Sequence, residues 1–226
     1  MGLNSNYNQT MLQNPLLLLP QSGNNFVLPI DQILVSKHNS RSDEEHRFHT
    51  DLIPEPYIGN VHAPVVALNA NPGYDENDQL IHSDPITRMI MLNNLNHNYS
   101  DFYYLSNDFN NSAGAMWWRK RLRKLVEATS REIVSKNFFV VESMAYHSEK
   151  FKFIDLPSQK YSCDLVKKAI ERAAIIIIMR SKNVWFDLIP ELANYKNLVF
   201  MNSWQSTYFS PGNLPRFEEV IKLLIH

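Results

Sequence analysis

Four short runs of unbroken apolar residues organise the chain: Val65-Val66-Ala67-Leu68, Phe138-Phe139-Val140-Val141, Ile175-Ile176-Ile177-Ile178 and Leu198-Val199-Phe200-Met201. They lack the polar alternation of a half-exposed strand, so each reads as a strand covered on both faces. The first ends at Asn71-Pro72-Gly73, a group of turn residues. Between the runs the spacing becomes helical. Asp84 and Pro85 start a helix running to about Leu95, with the aspartate as N-cap and the proline in the first turn. Residues 116–133 place Trp118, Leu122, Leu125, Val126 and Thr129 on one face. Residues 162–172, 185–193 and 216–225 supply three more helices, the second interrupted by Pro190. Alternating strand and helix predict an α/β domain with parallel strands near 65–70, 137–142, 174–179 and 198–202. Ligands in such sheets collect at the carboxyl edge of the strands.

Residues 1–51 read differently. They are rich in Asn, Gln and Ser, with apolar islands at 16–19 and 26–30 and a charged stretch at 41–47. The expectation is an irregular N-terminal arm packed through its leucines on a core spanning 52–226.

Composition narrows the chemistry. The 22 Lys+Arg against 23 Asp+Glu give a net charge of −1, so no global positive field attracts nucleic acid and any such binding needs a local patch. Arg119, Lys120, Arg121, Arg123 and Lys124 offer one, although a solvated helix face is the commoner meaning of such a cluster. The lone Cys163 cannot build a disulfide within the chain, an all-cysteine zinc site or an iron–sulfur cluster. No apolar run approaches the roughly 20 residues of a spanning helix, and a soluble cytoplasmic monomer is expected. His46 and His49 with Asp43 make an incomplete ligand set, so no metal and no cofactor are expected.

Three loops could carry chemistry. The turn Asn71-Pro72-Gly73-Tyr74 follows the first strand, Glu142-Ser143 opens the loop after the second, and Asn202 begins the loop after the fourth. That last loop, 202–213, holds hydroxyls, amides and aromatics without a charge, a mixture suited to gripping phosphates and stacking on bases. Plain strand-ending turns and a surface loop with tucked aromatics are the bland alternatives.

The stretch Pro54-Glu55-Pro56-Tyr57-Ile58-Gly59, then Ala63-Pro64-Val65-Val66 and Asn71-Pro72-Gly73-Tyr74, resembles the first motif region of the uracil-DNA glycosylase superfamily. Ser210-Pro211-Gly212-Asn213 after the last strand is similar to its second, DNA-gripping motif. The resemblance implies a three-layer α/β/α sandwich with a four-stranded parallel sheet, ordered second, first, third, fourth. It puts Asn71 in the place of the water-positioning residue and Asn202 beside the leaving base, a pairing closer to the mismatch-specific and thymine glycosylase branch. Gly73, Tyr74, Glu142 and Ser143 would meet the base. Ser206, Ser210 and Gly212 would hold DNA, and Tyr208 or Phe209 would wedge into the space a flipped base leaves.

The expected function is therefore excision of a damaged or mispaired base from DNA by hydrolysis of its N-glycosidic bond. A non-catalytic nucleic-acid or nucleotide-binding module on the same fold is the alternative, favoured by the acidic Asp75, Glu76 and Asp78. An enzyme acting on free nucleotides is a third.

Overall fold

Five strands, β1 (Tyr57–Gly59), β2 (Val65–Asn69), β3 (Phe138–Glu142), β4 (Ile175–Ile178) and β5 (Leu198–Phe200), form one sheet in the order β1-β3-β2-β4-β5. The computed structural model describes residues 13–20, 23, 25–203 and 205–225. The last four strands run parallel, with β2 central: Asn69 is in register with Glu142, and Val65 with both Phe138 and Ile175. The expected order describes these four. The sheet itself is a five-stranded mixed one, because β1 adds to the outer edge of β3 in antiparallel register. Gly59 allows that close approach: its φ is +99°, and a Cβ there would collide with the Phe138 carbonyl.

Every residue of β2, β3 and β4 is buried, which is why their sequences are apolar without alternation. Only their final positions turn polar, at Asn69 and Glu142. β5 is the opposite edge, and its Phe200 remains exposed.

The helices among the described residues are α1 (Gln32–Asn39), α2 (Asp78–Ser83), α3 (Pro85–Leu95), α4 (Ala113–Ala128), α5 (Arg131–Asn137), α6 (Gln159–Glu171), α7 (Lys182–Leu188) and α8 (Phe217–Ile225). Asp84 caps α3 by accepting from the Ile86 and Thr87 amides, both at 3.0 Å. The single helix expected over 116–133 is two. Ser112 caps α4, and Ser130 breaks the chain and caps α5 through the Ile133 amide. Pro190 ends the helical run after α7, and a 3-10 turn, Pro190–Asn194, follows. None of these helices is long and apolar enough to cross a membrane.

The N-terminal arm is not irregular throughout, since it holds α1 and two 3-10 turns. Leu16 and Leu19 join the main core while Leu17 and Leu18 stay exposed. Val27, Val35 and Phe48 form a second core with Met144, Ala145, Tyr146 and Leu156. Buried Asp31 ties the two sides together by accepting from Tyr146 Oη at 2.9 Å and from the Ser158 amide at 3.1 Å. The arm is thereby fastened to the segment that follows β3.

Candidate functional site

At the carboxyl edge of β2, β3 and β4 lies a cavity of about 280 Å³. Its lining brings together Asn69, Asn71, Gly73 and Tyr74 from the β2 end with Glu142 from β3 and Arg180 from β4. Trp117 of α4 and Phe151 add aromatic walls. The volume suits a small planar ligand rather than a macromolecule.

The floor is a side-chain pair. Asn69 Nδ2 donates to Glu142 Oε1 at 2.9 Å, and Trp185 Nε1 donates to the Asn69 carbonyl at 2.9 Å, fixing the strand end beneath it. Burial pushes the Glu142 carboxyl up to about 8, against the opposing pull of the Asn69 hydrogen bond and the Arg180 charge. The acid at the bottom of the cavity is therefore neutral at pH 7.

Asn71 stands at the rim. Its Nδ2 donates to Ser148 Oγ at 3.0 Å, to the Ser148 carbonyl at 3.2 Å and to its neighbour Pro72 at 2.8 Å. These contacts occupy the amide nitrogen and leave Oδ1 as the accepting end. Gly73 is exposed, and a Cβ there would meet nothing within 4 Å, so its place in the turn reflects open space rather than backbone strain. Tyr74 stacks on His49 of the arm.

Behind the Asn71 turn, Glu55, His82 and His147 bring their polar atoms within 4.8 Å of one another. His147 places Nδ1 2.8 Å from the Gly73 carbonyl and Nε2 3.1 Å from the Ile53 carbonyl. His82 Nδ1 accepts from the Ile53 amide at 2.9 Å, so its proton sits on Nε2, 3.9 Å from Glu55 Oε1. His82 spends its ring lone pair on the Ile53 amide, and both His147 nitrogens face backbone carbonyls, so the two rings are engaged by the backbone. The cluster is a bracket: it holds the Asn71–Tyr74 turn against Ile53 and seats Glu55, whose Oε1 accepts from Tyr104 Oη at 2.7 Å. Burial raises the Glu55 carboxyl to about 7 and the Asp78 carboxyl to about 6, and it holds the His82 imidazole well below its usual range. The acids facing the cavity thus carry less charge than their number suggests.

The remaining expected residues sit elsewhere. Ser143 is buried and donates to the Ala70 carbonyl at 2.7 Å, bracing the strand end instead of lining the cavity. Asn202 is exposed, outside the cavity lining, and donates from Nδ2 to the Gly212 carbonyl at 3.0 Å. Asn213 closes the same loop by donating to the Ser206 and Tyr208 carbonyls. Ser206 and Ser210 are half-buried at its turns, and Gly212 is exposed. Phe209 corrects the wedge expectation: its ring is 0% exposed and packs edge-on against Phe138 at 5.3 Å. Tyr208 is half-buried, 5.5 Å from the Arg121 guanidinium.

The basic cluster of α4 is divided as well. Arg119 turns inward to the Tyr104 and Ser106 carbonyls, and Arg123 and Lys124 pair with Glu127. Arg121 lies 3.5 Å over the Trp117 ring and donates to Thr207 Oγ1 at 3.0 Å. Burial and the neighbouring Arg180 lower the Arg121 guanidinium to about 10, still cationic at neutral pH. Arg180 lines the cavity, and Arg121 stands next to the lining on the Trp117 ring.

Sequence reasoning placed Asn69 and Arg180 at the carboxyl edge and Glu55 in the motif stretch without giving any of them a role, and it missed His82. Asn69 carried a signal, as a polar residue closing an all-apolar strand. Comparison with family models, with curated proteins and with solved structures finds no match for the chain.

Proposed function

We propose that the chain is a base-excising hydrolase that cleaves an N-glycosidic bond, and a divergent relative of the uracil-DNA glycosylase superfamily. The carrying observation is the clamped Asn71 amide at the rim of a base-sized cavity. With Nδ2 held by Ser148, Oδ1 accepts a hydrogen from water and aims its oxygen at the anomeric carbon of a sugar whose base fills the cavity. An amide orients water but does not take its proton as a carboxylate does, so turnover is slow. Trp117, Tyr74 and Phe151 stack on the base, and the Arg121 and Arg180 guanidiniums attract the phosphates flanking it. The parallel order of β3, β2, β4 and β5 supports the kinship, with the sandwich of that superfamily extended here by β1.

The test is incubation of the full chain with oligonucleotides carrying uracil, mispaired thymine, hypoxanthine, and mispaired adenine or cytosine, followed by alkali to cut abasic sites. Strand cleavage that disappears in Asn71→Ala is the expected result. No cleavage on any member removes the reading.

A second reading, an enzyme or binding module for free nucleotides, draws on Asp75 and Glu149 at the cavity lining, which oppose a polyanion. Salt distinguishes the two. Binding through several phosphates weakens steeply with ionic strength, and binding of one nucleotide much less so.

A further inference from the structure

Asn69 and Glu142 face each other across β2 and β3, and one hydrogen bond joins them. Each keeps one polar atom out of that bond. Asn69 Oδ1 and Glu142 Oε2 have no hydrogen-bond partner among the described residues, although the two residues are only 5% and 4% exposed. Buried polar atoms are costly to leave unpaired, and both residues line the same cavity. The pair therefore points to a ligand.

The chemistry of the two atoms is set by their surroundings. Asn69 directs its amide nitrogen to Glu142, so Oδ1 accepts. Glu142 makes no ion pair among the described residues. The charged and titratable groups that act on it are Arg180 at the rim and Glu55 and Tyr103 behind it, and burial outweighs the one cation. Its Oε1 already accepts from Asn69, so the carboxyl proton belongs on Oε2. The floor offers a donor beside an acceptor.

We propose that this fork reads the amidine edge of a nucleobase, a ring nitrogen beside an exocyclic amino group as in adenine- or cytosine-type bases, and that Glu142 delivers its proton to that ring nitrogen. The inference rests on the base-excision reading of the same cavity. A lactam edge, as in uracil or hypoxanthine, also sets an acceptor beside an N–H. Its carbonyl oxygen is far less basic than an amidine nitrogen, however, and a lactam base departs as a stabilised anion without needing an acid. An amino base leaves poorly unless protonated, which is the task a carboxyl kept neutral by burial can perform.

The step balances. The bond between the anomeric carbon and the base nitrogen breaks with its electron pair moving into the base, while the ring nitrogen takes the Glu142 Oε2 proton. The base leaves neutral and Glu142 remains as a carboxylate. The water held by Asn71 adds to the anomeric carbon and loses a proton to solvent, and Glu142 regains one from solvent. The sum is nucleoside plus water to free sugar hydroxyl plus base.

Two measurements on the full chain test it: binding of free adenine, cytosine, uracil and hypoxanthine by ligand-observed NMR titration, and excision from the matching oligonucleotides. Adenine or cytosine should bind about tenfold more tightly than the lactam bases, since both edges match the fork but the amidine nitrogen is the far more basic acceptor for the Glu142 proton. Asn69→Leu removes the acceptor that both edges use, so it should weaken binding of all four bases. Glu142→Gln keeps the shape and a donor, so it should retain base binding while excision falls roughly 10²-fold or more; it serves equally if Asn69→Leu does not fold. Excision of uracil or hypoxanthine but not of amino bases would overturn the fork and leave the base-excision reading standing. Equal or tighter binding of the lactam bases, or excision undiminished in Glu142→Gln, also overturns it. Selective amidine binding with no excision from any oligonucleotide removes the hydrolase and its proton transfer, and supports the fork as a recognition device alone.

Discussion

His49 lies flat on Tyr74, the ring centroids 3.4 Å apart and the planes 7° from parallel. The same residue donates its backbone amide to the His147 carbonyl at 2.9 Å. One position of the N-terminal arm thus fixes both the turn after β2 and the loop after β3, two walls of the cavity. Burial lowers the His49 imidazole below its ordinary range, so the stacked ring is neutral at pH 7. His49→Ala should lower stability by about 1 kcal/mol, the worth of an aromatic contact of this kind, seen as a shifted urea midpoint. It should also weaken base binding by freeing Tyr74. An unchanged midpoint together with unchanged binding would separate the arm from the site.

The buried acids give stability an inverted dependence on pH. Folded Glu142 and Glu55 hold protons up to about 8 and about 7, whereas the unfolded groups lose them near 4.5. The folded state therefore binds more protons across that interval, and the stabilisation, fully present below 4.5, is lost as pH rises through the folded values. His82 has the opposite sign: its depressed folded value adds stability as pH rises to 6.5 and nothing beyond. Between pH 6.5 and 8 the carboxyls act without that offset. Urea unfolding should show stability falling there by at most about 1.4 kcal/mol per pH unit for each proton. Glu142→Gln should flatten the slope.

Much of the sheet was legible because burial on both faces writes itself as unbroken apolar residues at β2, β3 and β4. β1 was not, since Tyr57-Ile58-Gly59 is too short to carry a pattern and is a strand only through its pairing with β3. Ser130 hid a helix boundary because serine is tolerated within helices, and only its side-chain bond to the Ile133 amide marks it as a cap. Of the site, Asn71, Tyr74 and Glu142 could be placed because each lies at or just beyond a strand end. Glu55 and His82 could not, since they reach the cavity region from a loop and from α2.

Among the described residues, the aromatic loop separates into one core ring, Phe209, and one half-exposed ring, Tyr208. Phe209→Ala should cost about 3–5 kcal/mol, as for other buried phenylalanines. Tyr208→Ala should leave the unfolding midpoint nearly unchanged and weaken oligonucleotide binding by about 1–3 kcal/mol, because its ring borders Arg121. If Tyr208→Ala unfolds as readily as Phe209→Ala, the loop is packing alone.

Ser148 sets the orientation of Asn71 without lining the cavity. Ser148→Ala removes the hydroxyl acceptor and leaves the backbone carbonyl, so the amide regains rotational freedom. Single-turnover excision should slow by about tenfold, in line with the sensitivity of positioned groups to small displacements, while the dissociation constant for the oligonucleotide stays the same. A change in affinity with no change in rate would reassign Asn71 to binding.

A carboxyl that holds its proton only because its surroundings are dry makes ligand occupancy and proton count one variable. When a base settles on Glu142 and Oε2 gains a partner, the proton's residence is renegotiated between acid, base and solvent. Calorimetric binding heats near pH 8 should then differ between buffers of large and small ionisation enthalpy, by an amount proportional to the protons exchanged. The cavity floor would couple the buffering state of its surroundings to how tightly it retains a liberated base.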